Sequence, residues 1–308
     1  IARGFSTSLT ANLHFENIVI HDVSGRGYFI NSGAWKVPPE STEPYWDSDT
    51  TIWINCDVYN ICDSLSGNPG NAGDGWKTIS YVGTYYYWEG CRAWNYSDDG
   101  FDPNGGVRHF KNCWAMSTNK YESFLIEGNG FKSSNLYTGY GIPYTDWWDL
   151  SRNGIQEHCL AVFCPGVGFY HGLESDTTDN PYLVNNTAFK CGTGFSSAGL
   201  SLDSLGDVCR NNLVYESTTM SAIAEPYNAP ITSKYAESHN NWDRDDGYPY
   251  FVMTDTVTVT DADFVTVDSA TIVSLFTASR GDNNELPTFP IRLVEGSDLI
   301  DAGIQIPD

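Results

Sequence analysis

A short unit recurs along the chain and limits what it can fold into. Asn or Cys stands just before an alternating apolar run, and a glycine followed by an aromatic residue comes soon after it. The runs are ENIVIHD, NCDVYNI, GCRAWNY, NCWAMST, HCLAVFC, NNTAFKC and NNLVYES. The glycine pairs are Gly27-Tyr28, Gly75-Trp76, Gly100-Phe101, Gly130-Phe131, Gly168-Phe169 and Gly194-Phe195. Such a repeat indicates an all-β solenoid.

The spacing of the unit selects one kind of solenoid. Copies without an intervening insert lie about 25 residues apart, which is too short for the four strands of a propeller blade. Wider gaps hold polar, Gly/Pro-rich inserts such as residues 38–49 and 137–152. We therefore predict a parallel β-helix with loop insertions.

Equivalent positions of neighbouring coils should lie one strand spacing, about 4.8 Å, apart. Alignment on the glycine-aromatic pairs then predicts two columns of neighbours. The column before the glycine reads Arg26, Asp74, Asp99, Asn129, Val167 and Thr193. The column after the aromatic residue reads Phe29, Lys77, Asp102, Lys132, Tyr170 and Ser196. Charge is concentrated in the middle coils, so we predict one patch of carboxylates and lysines there.

The overall charge excludes several classes of partner. With 16 basic and 39 acidic residues the net charge is −23, which repels nucleic acid and anionic membranes. No run of eighteen apolar residues is present, so the sequence predicts no membrane insertion. Abundant Asn, Gly, Tyr and Trp with little Lys suit a turn-rich β protein with a saccharide ligand.

The acidic residues of the patch point to a metal. Asp74, Asp98, Asp99 and Asp102 offer hard oxygen ligands from two coils, and four carboxylates together repel one another unless a cation neutralises them. Ca²⁺ suits such a flexible set of oxygens, whereas the spacing is not that of an EF-hand. A solvated acidic turn is the alternative that the sequence leaves open.

Lys132 indicates which reaction this patch could catalyse. Beside a bound dication its ammonium form is disfavoured, so its pKa should fall toward the range of a general base. A cation that binds the carboxylate of a uronic acid acidifies the neighbouring carbon. The set therefore predicts β-elimination, and no nucleophile motif of the Gly-x-Ser-x-Gly type is evident.

Several motifs together resemble the family nine polysaccharide lyases, which include pectate and rhamnogalacturonan lyases. They are NAGDGW, CRAWNYSDDGFD, GNGFK, HCLAVFCPGVGFYH and LVNNTAFKCGTGF, between about Asn55 and Phe195. The tail from DFVTVDSATIV onward is similar to the closing segment of that family. The resemblance implies a right-handed parallel β-helix and an extracellular, calcium-dependent lyase.

The resemblance also assigns roles to individual residues. It implies that the aspartate of GDG, Asp74, and the aspartates of SDDGFD, which are Asp98, Asp99 and Asp102, bind calcium. It implies that the lysine of GFK, Lys132, is the Brønsted base. These are the residues that the column alignment brings together.

We expect two parts in the chain. Residues 1–242 should form the β-helix catalytic domain, and 243–308 a C-terminal segment that packs on it. The chain opens almost at a coil without the N-terminal cap that a β-helix needs, so we expect that part of the protein is missing before Ile1. Such uncapped ends can join end to end, and the sequence does not set the oligomeric state.

Residues around the patch are candidates for substrate binding. Lys77 lies in the same column as Lys132 and is a candidate for a uronate carboxylate, although a salt bridge to Asp102 is the stronger interpretation. The aromatic insert offers Tyr144, Trp147 and Trp148 for stacking on sugar rings or for covering the coil, and Arg152 for a carboxylate.

The positions of the cysteines predict a further column, which lies inside the coil. Cys56, Cys91, Cys113 and Cys159 should stack inside the coil as small buried side chains. Cys164 and Cys191 share a column in adjacent coils, so both a disulfide and a reduced ladder fit.

Two alternatives to catalysis stay open at this point. The same fold serves as a carbohydrate-binding, adhesive or filament-forming protein, or the calcium only clamps the coil. The presence of Lys132 favours the lyase, because a binding module needs no base. The uronate polymer, and endo or exo action on it, are not fixed by the sequence.

Overall fold

Three parallel sheets wind around one interior. The computed structural model describes residues 2–8, 12–32, 50–80, 85–118, 121, 123, 127–134, 154–172, 181–198, 208–223, 236–238, 259–297 and 299. Within these residues the strands pass in strict rotation from sheet A to sheet B to sheet C. Seven complete coils and two strands of an eighth result. The predicted parallel β-helix is confirmed.

The strands of each sheet follow in order along the solenoid. Sheet A contains β1 (Ala2–Ser8), β4 (Gly25–Ser32), β7 (Trp76–Ser80), β10 (Phe101–Asn104), β13 (Phe131–Ser134), β16 (Val167–Gly172), β19 (Thr193–Ala198) and β22 (Thr219–Ile223). Sheet B contains β2 (Leu13–Glu16), β5 (Thr50–Ile54), β8 (Tyr85–Glu89), β11 (Val107–Lys111), β14 (Gly154–Glu157), β17 (Pro181–Val184), β20 (Val208–Arg210) and β23 (Ala236–Ser238). Sheet C contains β3 (Val19–Val23), β6 (Asp57–Ile61), β9 (Arg92–Tyr96), β12 (Trp114–Met116), β15 (Leu160–Val162), β18 (Thr187–Phe189) and β21 (Leu213–Tyr215).

The aromatic residues of the repeat form a ladder inside sheet A. The register pairs Tyr28 with Trp76, Trp76 with Phe101, and Phe101 with Phe131. Neighbouring rings are nearly parallel, with centroids 4.1 Å apart for Tyr28 and Trp76 and 4.8 Å apart for Phe101 and Phe131. All four side chains are buried. The ladder therefore confirms the column alignment.

The glycine before each aromatic residue is required by the close approach of successive coils. A Cβ on Gly75 would lie 2.6 Å from the carbonyl oxygen of Gly100, and one on Gly100 would lie 2.7 Å from that of Gly130. These distances are far below van der Waals contact, so any side chain would push two coils apart.

The turn between sheets B and C explains the Asn of the repeat. Its first residue is left-handed in each described coil, with φ between 51° and 61°. These residues are Asn17, Asn55, Gly90, Asn112, His158, Asn185 and Asn211. Asn and Gly tolerate this conformation best. The Asn recurs in the repeat because this position requires a left-handed backbone conformation.

From the second coil onward, the next residue of that turn is buried inside the coil. It is Cys in four successive coils, and Cys56, Cys91, Cys113 and Cys159 are all buried, as predicted. Asn186 follows in the same column, where its Oδ1 accepts from the Cys159 amide at 2.9 Å.

The second pair of cysteines is reduced. Cys164 and Cys191 are buried free thiols, so the structure favours the ladder over the disulfide. The Cys164 Sγ lies 3.4 Å from the Tyr96 hydroxyl, within the same apolar core.

A C-terminal segment covers the outer face of sheet C. It contains a 3₁₀ turn (Asp261–Asp263) and α1 (Ser269–Phe276), whose N-cap Asp268 accepts from the Thr271 amide at 2.8 Å. Phe264, Ile272 and Phe276 pack against outward side chains of the sheet. Those side chains are Trp94, Trp114, Met116, Leu160, Val162, Phe189 and Tyr215. The predicted boundary at 242/243 lies outside the described residues.

A buried ionic network joins this segment to the coil. Asp57 accepts from Arg92 through both oxygens, at 2.9 and 2.6 Å, and from Arg280 at 2.5 and 3.1 Å. Arg92 also donates to the Phe276 carbonyl at 2.8 Å, at the end of α1. These contacts give Arg92 a structural role, because it joins the coil to the C-terminal segment.

No helix within the described residues has the length and apolar character needed to span a bilayer.

The glycine column predicts a stability effect. In Gly168→Ala the new Cβ would meet the Gly194 carbonyl oxygen at 2.8 Å, so we expect a loss of about 1–3 kcal/mol from overpacking. Urea unfolding measures it. Gly67→Ala is the control, because nothing lies within 4 Å of its Cβ. Equal stability of the two variants would contradict the close-approach argument.

The ionic network predicts a larger effect. Asp57→Asn leaves two buried guanidinium groups without their carboxylate, and we expect a loss of about 3–5 kcal/mol. Urea unfolding of this variant is compared with Asp282→Asn, which removes an exposed carboxylate of the same segment. A loss below about 1 kcal/mol would show that the network contributes little.

Candidate active site

The predicted charged patch forms at the N-terminal edge of sheet A. Asp74 and Asp99 each precede the glycine that leads into β7 and β10, and the amide of Gly75 donates to the Asp99 carbonyl at 2.9 Å. Lys77 and Asp102 are partners in the ladder. Lys132 is the second residue of β13, one strand further along. The two columns therefore lie side by side, as the alignment predicts.

Three of the four predicted aspartates come together. Asp74, Asp98 and Asp99 each offer a carboxylate oxygen, and these oxygens lie within 4.8 Å of one another. All three side chains are buried. Asp74 Oδ1 and Asp98 Oδ1 have no hydrogen-bond partner among the described residues. Buried carboxylate oxygens without donors are costly unless a cation binds them.

Burial and mutual repulsion strongly favour protonation of this cluster when it holds no cation. Burial raises the pKa of Asp98 to about 9, and the charges of Asp74 and Asp99 add to it. Burial, followed by Asp102, raises the pKa of Asp99 well above its ordinary value. For Asp74 burial again dominates, against the lowering by Lys77 and Arg26.

Asp102 takes a different partner from the other three. It forms an ion pair with Lys77, and both side chains are buried. Burial alone would lower the pKa of Lys77, but Asp102 and Asp74 outweigh burial and raise it. The salt-bridge interpretation of Lys77 therefore matches the geometry. Asp102 still acts on the cluster, because its charge raises the pKa of Asp98 and Asp99.

Lys132 lies directly against the cluster. Its Nζ is 3.2 Å from Asp99 Oδ2 and 2.5 Å from Glu127 Oε2. Burial works to lower its pKa, but Asp99, Asp102 and Glu127 outweigh burial and raise it. With the side chain one-fifth exposed, the amine is reachable from solvent. The predicted fall of this pKa concerns the cation-bound form and stays a prediction.

Two neighbours of the patch were missed as site residues. Asn129 donates through Nδ2 to Asp99 Oδ1 at 2.8 Å and to Glu127 at 3.0 Å, and its Oδ1 accepts from the Val167 amide at 2.8 Å. Asn129 stands in the predicted column before the glycine, so the alignment contained its signal. Glu127 lies outside the columns, and no repeat marks it.

The donor set fits a hard dication. It offers buried carboxylate oxygens, two of them without a donor, and no thiol or imidazole lies in the group of three. Such oxygens suit Ca²⁺, which tolerates irregular coordination. Asp74, Asp98 and Asp99 are the residues that would hold it.

The remaining substrate-binding candidates lie outside the described residues. They are Tyr144, Trp147, Trp148 and Arg152. Their roles stay predictions.

Comparisons with known proteins agree with the fold. Residues 2–212 match the family model described as Pel9A-like, right handed beta helix region. The crystal structure of pectate lyase Pel9A superposes with a TM-score of 0.62 at 24% identity, covering 95% of this chain and 61% of that one. A rhamnogalacturonan lyase structure gives a TM-score of 0.56 at 20% identity, covering 96% and 70%. The fold is thus a right-handed parallel β-helix, as predicted.

Two curated relatives match most of the chain. Pectate lyase L of Dickeya chrysanthemi is 28% identical over 300 residues, which are 94% of this chain and 56% of the relative. Pectate lyase L of Dickeya dadantii (strain 3937) is 27% identical over 299 residues, again 94% and 56%. The chain therefore spans about half the length of these relatives.

The raised carboxyl pKa values predict how stability depends on pH. In chelator the folded cluster keeps protons that the unfolded chain releases above about pH 4, so the free energy of unfolding should fall as pH rises toward about 9. Thermal unfolding at several pH values measures this slope. Asp98→Asn should flatten it, whereas Asp282→Asn should leave it unchanged.

Calcium provides the complementary measurement. Because binding needs the ionised carboxylates, Ca²⁺ at 100 times its Kd should stabilise the protein by about 2.7 kcal/mol, and more strongly at high pH. A pH-independent stability in chelator, with no shift on adding calcium, would contradict the metal-site interpretation.

Proposed function

Because the chain belongs to the Pel9A-like family of right-handed β-helix proteins, we propose that it is a calcium-dependent lyase of uronate-containing polysaccharides. The relatives named as pectate lyases and rhamnogalacturonan lyase support the class of reaction. The observation that carries the proposal is the buried carboxylate cluster with an amine 3.2 Å away. We infer that the substrate is of the pectate or rhamnogalacturonan type.

Calcium is proposed to bind Asp74, Asp98 and Asp99, with Asp102 as the fourth carboxylate. When bound, it would supply positive charge for the uronate carboxylate and for the negative charge that develops next to it. Asp102 is included because it follows Asp98 and Asp99 in the same coil and its charge raises the pKa of both. Its ion-pair partner Lys77 lies beside it in the neighbouring strand.

Lys132 is proposed to be the base. Its Nζ accepts the proton from C5 of the uronate, and the C5–H electron pair forms the C4–C5 double bond. The C4–oxygen bond of the leaving sugar breaks, and that oxygen keeps the bonding pair and takes a proton from solvent water. The amine must be neutral to do this. Once Asp99 serves as a ligand, Lys132 loses much of the attraction that holds its ammonium form, and its pKa falls.

The surrounding residues are proposed to orient this amine. Glu127 accepts a hydrogen bond from Lys132, and Asn129 links Glu127 to Asp99. Together they hold Nζ beside the cluster rather than in solvent. Tyr144, Trp147, Trp148 and Arg152 remain the proposed contacts for the rest of the polymer, whereas Lys77 is buried in its ion pair with Asp102.

A polyanionic substrate has to approach a protein of net charge −23. Screening at physiological salt limits that repulsion to about 8 Å. Arg26, Lys77 and Lys132 line the patch and make it locally more positive. We propose that the protein acts outside the cell, where such polymers occur.

The ultraviolet absorbance of unsaturated uronides tests the proposal. We expect a calcium-dependent rise with polygalacturonate or rhamnogalacturonan that chelator abolishes. Lys132→Ala should lower the rate at least about 100-fold while calcium still binds, because general base catalysis contributes about 10²–10⁴. Lys111→Ala on sheet B is the control and should keep the rate.

The opposite result separates the alternatives. If the protein binds calcium and oligouronides but the ultraviolet absorbance rises with no uronate polymer, the proposal of lyase activity is wrong. The fold would then serve carbohydrate binding.

A further inference from the structure

Two arginines lie together at the N-terminal side of the acidic cluster. Arg3 of β1 and Arg26 of β4 are ladder partners. Their guanidinium carbons lie over the same ring, at 3.8 Å and 5.0 Å from the centroid of Phe29. Phe29 is 5% exposed, so the two side chains cover it. The pair is therefore held in place by a rigid aromatic base.

The charges of this pair are only partly balanced by the protein. Arg26 Nε donates to Asp74 Oδ2 at 3.1 Å. Arg3 donates to the Ser6 hydroxyl at 2.9 Å, and none of the ion pairs among the described residues includes it. Burial, followed by the charge of Arg26, lowers the pKa of Arg3. Two like charges stay close in a chain with 39 acidic residues, which is the arrangement that an external anion would stabilise.

The pair continues the column that forms the site. Arg3, Arg26, Asp74 and Asp99 occupy equivalent positions of four successive coils. Each step is one strand spacing of about 4.8 Å, so Arg26 is one step and Arg3 two steps from the first carboxylate of the cluster. A polymer that crosses the coils along this column passes from the carboxylates to the arginines.

We propose that Arg3 and Arg26 form a subsite that binds a second carboxylate of the same polysaccharide, on the side of the N-terminal coils. This inference rests on the proposed function for its ligand. A planar guanidinium matches a carboxylate through two parallel hydrogen bonds, which a lysine cannot reproduce. The exposed Arg3 supplies this fork, while Arg26 ties the subsite to Asp74. The subsite favours polymers with acidic groups on consecutive or nearby sugars.

Equilibrium binding tests the subsite without turnover. Tetragalacturonate is titrated into the Lys132→Ala protein in calcium by calorimetry, and Arg3→Gln is then added to that background. We expect about tenfold weaker binding at low salt, the size of one charge-assisted contact. Arg3→Lys should recover part of the loss. Arg292→Gln is the matched control, because it removes an exposed arginine of the C-terminal segment.

Salt separates an ionic contact from a structural effect. The difference between Arg3→Gln and its parent should shrink as salt rises, since an exposed ion pair is screened. Unchanged thermal unfolding confirms that the variant folds. Equal affinities of Arg3→Gln and its parent, a loss independent of salt, or no binding by the parent would overturn the subsite.

Elimination is measured separately on the protein with Lys132 intact. If elimination depends on calcium but Arg3→Gln and its parent bind tetragalacturonate equally well, the subsite proposal is wrong and the lyase proposal stands. If Arg3→Gln binds tetragalacturonate more weakly but the protein with Lys132 intact shows no elimination, the lyase proposal is wrong and the subsite proposal stands.

Discussion

The close approach of successive coils at the glycine column governs the rest of this structure. A Cβ on Gly75 would lie 2.6 Å from the next coil, so the position accepts only glycine. The aromatic residue that follows then stacks on its counterpart, and the ring ladder fixes the register of sheet A. A slip of one residue would turn every outward side chain inward. The site therefore depends on a backbone contact that contains none of its residues.

That constraint explains why much of the site could be predicted from the sequence. In a solenoid a constant offset along the chain becomes a fixed neighbour in space, so aligning the glycines placed Asp99 beside Asp74 and Lys77 beside Asp102. The Asn or Cys that precedes each apolar run likewise predicted the buried column of cysteines.

Contacts that break the period could not be predicted in this way. Glu127 reaches Lys132 from a turn, outside either column. Asp102 forms an ion pair with Lys77 and is not part of the group of three, which the spacing of the aspartates in the sequence did not indicate. Arg280 meets Asp57 across 223 residues, and no local pattern marks a partner so far away. The disulfide question was likewise open, since column and distance fit both states of Cys164 and Cys191.

The outer faces of sheets A and C differ in how their buried charges are balanced. On sheet C the outward Trp94 and Trp114 pack under Phe276 of the C-terminal segment, and Asp57 is neutralised by two arginines. On sheet A the carboxylates keep oxygens without a donor, and Lys132 stays partly exposed. On sheet C, therefore, the buried carboxylate of Asp57 is fully paired within the protein. The acidic cluster on sheet A keeps buried oxygens without a donor, and this difference supports the proposed cation site there.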